Sequence, residues 1–449
     1  MSARELRSAL GLASIFGLRM LGMFIILPVF ALYARTLPGG SDLTLVGIAL
    51  GAYGLAQAVL QVPFGRWSDR IGRKPVLYIG LAMFALGSFV AGFAHDIYIV
   101  LLGRILQGAG AISAVAIAMA ADLTREEHRT KVMAIIGSMI GLTFAVSIVA
   151  GPWLGALIGV PGIFMMTGVL ATAAMLIVAR LPDPEPEAGA QPEQPVRFVD
   201  ILRVPELARL NVGIFVLHAV LMAMFVVVPL ALEASGLAAA AHWKVYGAVM
   251  LGSIVLMLPA FMRGERRGLG KPVFLVSVVL VGASQAMLLA AGASLVGQTL
   301  ALLVFFTGFN ILEAALPAAV SQAAPAGSRG TAVGVYSTVQ FLGTFVGAAL
   351  GGFLMQHAGA TGVLAGTLVL MGIWLAVAAG MAGKPSMHTR LYCVPPMDSA
   401  RAMGLTERLG ALPGVREARV LAEERQVRLE VDVTRFDERD ALKLIAGET

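Results

Sequence analysis

LTLVGIALGAYGLAQAVLQVPFGRWSDRIGRKPVLYIGLAMFALGSFV, residues 43–90, reads as two apolar runs held apart by a short basic loop. The runs, 43–64 and 75–94, are each close to the roughly 20 residues that an α-helix needs to cross a bilayer. Between them stand Arg66, Arg70, Arg73 and Lys74, and short loops rich in Lys and Arg stay on the cytoplasmic side. The stretch therefore predicts a hairpin of two membrane helices with its turn in the cytoplasm.

The rest of the chain is written the same way. Hydrophobic residues make up 58% and charged residues 13% of the 449 positions, whereas a soluble domain carries about 25% charged residues. A soluble surface cannot be built from this text. Further apolar runs fall at 8–34, 97–121, 131–153, 160–179, 207–232, 244–262, 272–291, 296–320, 330–355 and 361–382, which makes twelve expected spans. The first run exceeds a signal-peptide core and lacks a clear cleavage site, so it is read as a retained helix. Basic loops recur at Arg125, Arg129 and Lys131 and at Arg263, Arg266, Arg267 and Lys271, while the opposite loops offer little beyond Arg35 and Lys244. Both termini are expected in the cytoplasm, in a bacterial inner membrane.

The fold class that follows is an all-α membrane protein: twelve transmembrane helices in two pseudo-symmetric six-helix bundles, with a small α+β cytoplasmic domain. The bundles are read at 1–180 and 207–383. Between them, 181–206 contains LPDPEPEAGAQPEQP, whose Pro and Glu content builds no core, with a short surface helix around 197–202. The halves echo each other: RIGRKPVL answers RGLGKPVF, and the Gly-rich text after span four answers that after span ten. Such repeats are a common ground plan of secondary transporters. The net charge of +6 sits in membrane loops, so no nucleic-acid partner is expected. Cys393 stands alone and forms no intrachain disulfide. No Walker loop, cofactor motif or metal-ligand spacing is present, and no enzymatic chemistry is implied.

The string GRWSDRIGRKP, 65–75, resembles the cytoplasmic loop signature of the major facilitator superfamily. The resemblance implies a gating latch from Gly65, Asp69, Arg70, Gly72, Arg73 and Lys74, with Asp122 at the end of span four as a second acidic partner. Asp69 is then expected near the N-terminus of span eleven, where a helix dipole favours negative charge, and Gly65 is expected to let span two approach a neighbour. In the second half, Arg266 stands where the aspartate would be. LLGRILQGAGA, 101–111, resembles the superfamily motif associated with proton coupling, through Arg104, Gln107, Gly108 and Gly110. SIVAGPWLGA, 147–156, resembles the antiporter motif of span five through Gly151, Pro152 and Gly155, with Ser147 in place of the usual glycine. FGLRMLGMFIILPVF, 16–30, resembles the first helix of YajR-type transporters, which also carry an extra cytoplasmic domain.

Ionisable residues at membrane depth are expected to be functional. They are Arg19, Arg104, His218 and Glu313, with Asn310 one turn before Glu313. Glu313 is the acid best placed to carry a proton; desolvation and a nearby arginine would pull its proton affinity in opposite directions. His218 is the alternative, since imidazole titrates near neutral pH. Expected partners are protons, lipid and a small amphipathic or apolar solute. Export is favoured over uptake, and a membrane sensor with a transporter body is the rival from another class.

From Lys384 onward the chain carries eleven Lys/Arg and eleven Asp/Glu. HTRLYCVPP reads as a strand, SARAMGLTERLGAL as a helix, VREARVLAEERQVRLEVDV as two strands and ERDALKLIAG as a second helix. Alternation is clearest at Val427, Leu429, Val431 and Val433. The order β-α-β-β-α over 388–449 is that of a ferredoxin-like unit without its last strand, and it resembles the YajR-type C-terminal domain. Two roles stay open for it, regulation by an ion or ligand, and packing on the cytoplasmic loops or dimerisation.

Overall fold

The computed structural model describes residues 1–183, 198–266, 270–324, 328–381, 387–395, 398–421, 425–432 and 435–447. The Pro- and Glu-rich stretch of the expected linker, Pro396 of the first expected strand and Val433 of the last lie outside the described residues.

An apolar run in lipid must satisfy its backbone polar groups internally, and a helix does so within one segment. The chain accordingly forms α1 (Ala3–Phe24), α2 (Leu27–Ala34), α3 (Leu43–Ile71), α4 (Arg73–Gly92), α5 (Ile97–Ala109), α6 (Ser113–Asp122) and α7 (Glu126–Arg180). After the short α8 (Phe198–Arg203) come α9 (Pro205–Ala234), α10 (His242–Arg266), α11 (Gly270–Ala291), α12 (Leu295–Ala323) and α13 (Arg329–Ala379). Side-chain caps fix several starts: Asp42 accepts from the backbone of Thr44 and Leu45, and Asp96 from that of Ile99.

Among the described residues, ten helical stretches are long and apolar enough to cross a membrane. Nine of the twelve apolar runs read from the sequence lie inside one of them, and the runs 75–94, 244–262 and 361–382 pass the end of theirs by two or three residues. Two of the ten run for 50 residues, about 75 Å if straight against a hydrocarbon core of about 30 Å. Neither is straight. Each is interrupted at one glycine, Gly159 (φ +70°) and Gly359 (φ +63°), a backbone region that residues with a Cβ rarely adopt. Large apolar side chains remain exposed along the helices, Leu251 at 70% and Val369 at 64% among them, as a lipid-facing surface requires. By contrast, α9 is apolar and buried on nearly all sides.

Two compact units are present, one comprising Met1–Val255 and Ser277–Gly380, the other Leu256–Val276 and Met381–Thr449. Within the first, α3 and α13 run antiparallel with backbone close to backbone. The amide of Leu43 donates to Gln356 Oε1, and Gln61 Nε2 donates to the Gly334 carbonyl and to Thr338 Oγ1. Between these ends lie Gly47, Gly51 and Gly54. A Cβ on Gly47 would stand 2.2 Å from the Ala348 carbonyl oxygen, and one on Gly54 2.7 Å from that of Phe341.

In the second unit β1 (Met387–Cys393), α14 (Ser399–Gly410), β2 (Val415–Leu421), β3 (Gln426–Asp432) and α15 (Glu438–Ala446) follow in order. The sheet order is β1-β3-β2, with both pairings antiparallel. Val427, Leu429 and Val431 alternate inward onto Leu405 and Leu409 of α14 and Ala441 and Ile445 of α15, the period of a strand with one buried face. Tyr392 Oη donates to Glu438 Oε1 at 3.0 Å; partial burial and the neighbouring carboxylate push its phenol up to about 12.

Gly47→Ala is expected to lower stability by about 1–3 kcal/mol through overpacking, whereas Gly137→Ala, with nothing within 4 Å of the added carbon, is expected to be neutral. Thermal unfolding of the purified variants checks this, and equal melting temperatures for the two would contradict the seam.

Candidate functional site

Two further breaks in the membrane helices lie near the buried charges. Between α1 and α2 the chain breaks at Ile25 and Ile26, and between α5 and α6 at Gly110, Ala111 and Ile112. A Cβ on Gly110 would meet the Gly80 carbonyl oxygen at 2.3 Å, so α4 lies hard against the break. Beyond it, Ser113 opens α6 and points its hydroxyl inward.

Arg19 on α1 uses that hydroxyl. Its Nη1 donates to Ser113 Oγ and its Nη2 to Gln57 Oε1 on α3. Arg104 on α5 donates from Nη1 to Gln107 Oε1 at 2.9 Å and from Nη2 to the Leu50 carbonyl at 3.3 Å. Gln107 passes the chain on, donating to Ser88 Oγ at 2.8 Å. Both arginines are almost fully buried, at 2% and 1% exposure. The Tyr53 ring lies between them, 5.8 Å from the Arg19 guanidinium and 5.1 Å from that of Arg104, within cation–π range. Arg19 Nε, Arg104 Nε and the Tyr53 hydroxyl are buried without a hydrogen-bond partner.

A second polar cluster sits in the other half of the chain. Gln340 on α13 donates to Glu313 Oε1 on α12 at 3.3 Å and lies 2.8 Å from His218 Nε2 on α9. With the Gln340 amide as donor, His218 Nε2 accepts and the imidazole proton sits on Nδ1. Glu313 Oε2 is 3.8 Å from His218 Nε2. Asn310 turns elsewhere, donating to Ser253 Oγ on α10 at 3.0 Å, and does not join Glu313. Aromatic rings run between the halves. Phe24 meets Phe144 at 4.9 Å, Phe144 stacks on Phe309 at 5.4 Å, and Phe309 lies 5.9 Å from the His218 ring.

In the loop between α3 and α4, Arg73 binds Asp69 and, at 2.9 Å, Asp122; it also donates to Ser68 Oγ. Lys74 pairs with Asp183 at 3.0 Å. Gly72 turns with φ +94°. Gly65 is not a site of close approach: a Cβ there would meet only Ala114 Cβ, at 3.8 Å. Arg70 is exposed. Asp69 and Asp122 both bind Arg73 within the first half.

The glycines of the span-five string pack on the break in the first span. A Cβ on Gly151 would stand 2.4 Å from the Ile25 carbonyl oxygen, and one on Gly155 3.3 Å from Val29 Cγ1. Pro152 lies inside α7. Ser147 is fully buried, its hydroxyl without a partner.

Sequence reading missed Tyr53, Gln57, Ser88, Ser113, Gln340 and Asp183. A signal existed for the first two. Tyr53, Gln57 and Gln61 recur every four residues, which puts a polar stripe on one face of an otherwise apolar helix.

A sequence profile of the major facilitator superfamily matches residues 12–241 and 235–390. The chain belongs to that superfamily. It is therefore a multi-pass transporter rather than an enzyme. The inner membrane transport protein YajR of Escherichia coli is 40% identical over 449 residues, covering 99% of this chain and 98% of that protein, which supports a bacterial inner membrane as its location. The class E tetracycline resistance protein of Escherichia coli is 34% identical over 162 residues, 35% of this chain and 39% of that one. Among solved structures, a bacterial homologue of the human lysosomal transporter Spinster, in an inward-facing and occupied conformation, superposes with a TM-score of 0.66 at 15% identity, covering 84% of this chain and 97% of the other. That likeness shows the shared fold.

Packing of Gly155 on α2 is checked by replacing Val29 and Gly155 with cysteine in a Cys393→Ser background. The added Cβ on Gly155 lies 3.9 Å from Val29 Cβ, close to the usual disulfide separation, so mild oxidation is expected to yield a near-complete cross-link, seen as a mobility shift on gels. Free thiols after oxidation would show that the two spans pack otherwise.

Proposed function

We propose that the transporter is a proton-coupled exporter of small amphipathic or apolar molecules, working by alternating access. Its ten helical stretches are read as twelve spans, because α7 and α13 each turn back at their glycine, and the spans form two six-helix bundles with both termini in the cytoplasm. The second unit's strand order, β1-β3-β2 with helices after β1 and β3, is that of a ferredoxin-like domain without its fourth strand. Regulation is its proposed role.

The observation that carries the reading is the Glu313–Gln340–His218 cluster. It supports the reading because a carboxyl with a third of its side chain exposed stands beside a buried imidazole in one half, while the buried arginines stand in the other. Protonation of Glu313 removes a charge from a low-dielectric setting, so the proton and the tilt of the halves are linked energetically. Export over uptake is favoured by the relation to tetracycline resistance proteins and by the seating of Gly151 and Gly155 on the broken first span. Ser147 in place of glycine is the one departure of that string from the antiporter motif.

The latch is Arg73 with Asp69 and Asp122. It holds the cytoplasmic end of the first half, and a proton on either carboxylate weakens it. Lys74 with Asp183 ties the same loop to the start of the inter-half connection.

Proteoliposomes enclosing a pH-sensitive dye test the proposal. Candidate solutes are expected to drive proton movement in the wild type, and Glu313→Gln is expected to abolish that movement while solute still binds. Asp69→Asn is expected to slow turnover severalfold, since the Asp69 side chain is 61% exposed and an exposed ion pair contributes about 0.2–1 kcal/mol. Absence of solute-dependent proton movement under every gradient would reject antiport, and wild-type coupling in Glu313→Gln would reject that carboxyl as the carrier.

A further inference from the structure

Two guanidinium groups lie buried in the first half, and among the described residues no carboxylate pairs with either. Arg19 is held by a serine and a glutamine, and Arg104 by a glutamine and a backbone carbonyl. Those partners are neutral. They orient the cations and leave the charge in place. The groups left over are also of one kind: Arg19 Nε, Arg104 Nε and the Tyr53 hydroxyl are buried donors without an acceptor. A buried donor is costly until something accepts from it, and a buried cation more so until an anion meets it.

From this cluster we infer that the site around Arg19, Arg104 and Tyr53 binds the negatively charged headgroup, a carboxylate or a sulfonate, of the transported amphipathic solute. The inference rests on the proposed transport of amphipathic molecules and narrows them to anions. A headgroup with two or three oxygens supplies the missing acceptors and the missing charge together. A neutral or cationic solute supplies neither.

The apolar part of such a solute has a place as well. Phe24 lies farther along α1 than Arg19 and begins the row of rings that crosses by way of Phe144 to Phe309. A flat hydrophobic body rests on those rings with its headgroup turned to Arg19. The ring of Tyr53 also faces Phe341 across the α3–α13 seam, 6.5 Å away, so an occupant of this site is felt by both halves.

Binding by purified full-length protein, measured by thermal shift and isothermal titration without any gradient, tests the inference. The probes are naphthoate, naphthamide and naphthylmethylamine, which share one ring system and differ in charge, with chloride as the inorganic anion. Naphthoate is expected to bind most tightly, and Arg19→Gln to weaken it about tenfold or more, as loss of a charge-assisted contact does. Tyr53→Phe, which removes only a hydroxyl, is expected to weaken naphthoate severalfold and leave naphthamide unchanged; it reads the site even if Arg19→Gln fails to fold. Equal or tighter binding of naphthamide or the amine would overturn the inference, as would binding of chloride with none of naphthoate. Wild-type protein serves both assays, naphthoate binding without a gradient and solute-driven proton movement in proteoliposomes. Absence of solute-driven proton movement with the preference for naphthoate intact counts against antiport alone, and absence of that preference with proton movement intact counts against the anion site alone.

Discussion

Backbone contact between α3 and α13 is the constraint on which the arrangement depends. Gly47, Gly51 and Gly54 bring α3 so close to α13 that a single added carbon meets carbonyl oxygens. Without side chains between them, the helices are held by close packing and by the polar contacts at Leu43 and Gln61. Tyr53 sits within this seam, and its neighbours follow from it. Gly108 lets α5 rest on the Tyr53 carbonyl oxygen, which sets Arg104 over the ring, while Gln57, one turn along α3, reaches Arg19. The charged interior of the first half is thus assembled around one helix.

The second half solves a related problem with different chemistry. On α1 and α6, Arg19 meets Ser113; on α9 and α12, His218 meets Glu313. One cluster has two guanidinium groups, and the other sets a carboxyl beside an imidazole. Under the proposed function, the division suits a carrier that binds a solute in one place and a proton in another. The rings from Phe24 to Phe309 separate the clusters, and they keep the intervening region apolar, where the field of each charge is little screened.

Much of this was legible in the sequence, and the rest was hidden for physical reasons. Apolar runs of bilayer length became helices, because lipid leaves the backbone few alternatives. The loop residues Asp69, Arg73 and Asp122 form ion pairs within the motif that singled them out. The second unit's element order followed from the alternation at Val427, Leu429 and Val431. The helix breaks were not foreseen: no proline lies at Gly110–Ile112, and the bend there depends on how closely α4 approaches. Partners such as Ser113 and Gln340 are far away in sequence, and a lone serine or glutamine in an apolar run does not reveal what it touches. Gly65 shows the opposite failure, a motif glycine whose neighbourhood has room for a side chain.

Gly159 and Gly359 stand 200 residues apart in the numbering and interrupt α7 and α13 in the same way. Under the proposed twelve-span reading each is a hairpin closed at one residue, which has no slack. The two arms cannot slide past one another or change their separation at the turn, so each pair behaves as a stiff fork. A tilt imposed on one tine, by solute at the centre or by charge at the loop, is carried to the other within the same motion. Each half then needs fewer independent joints than its helices would suggest, and those joints lie at the breaks in α1–α2 and α5–α6, beside the buried arginines.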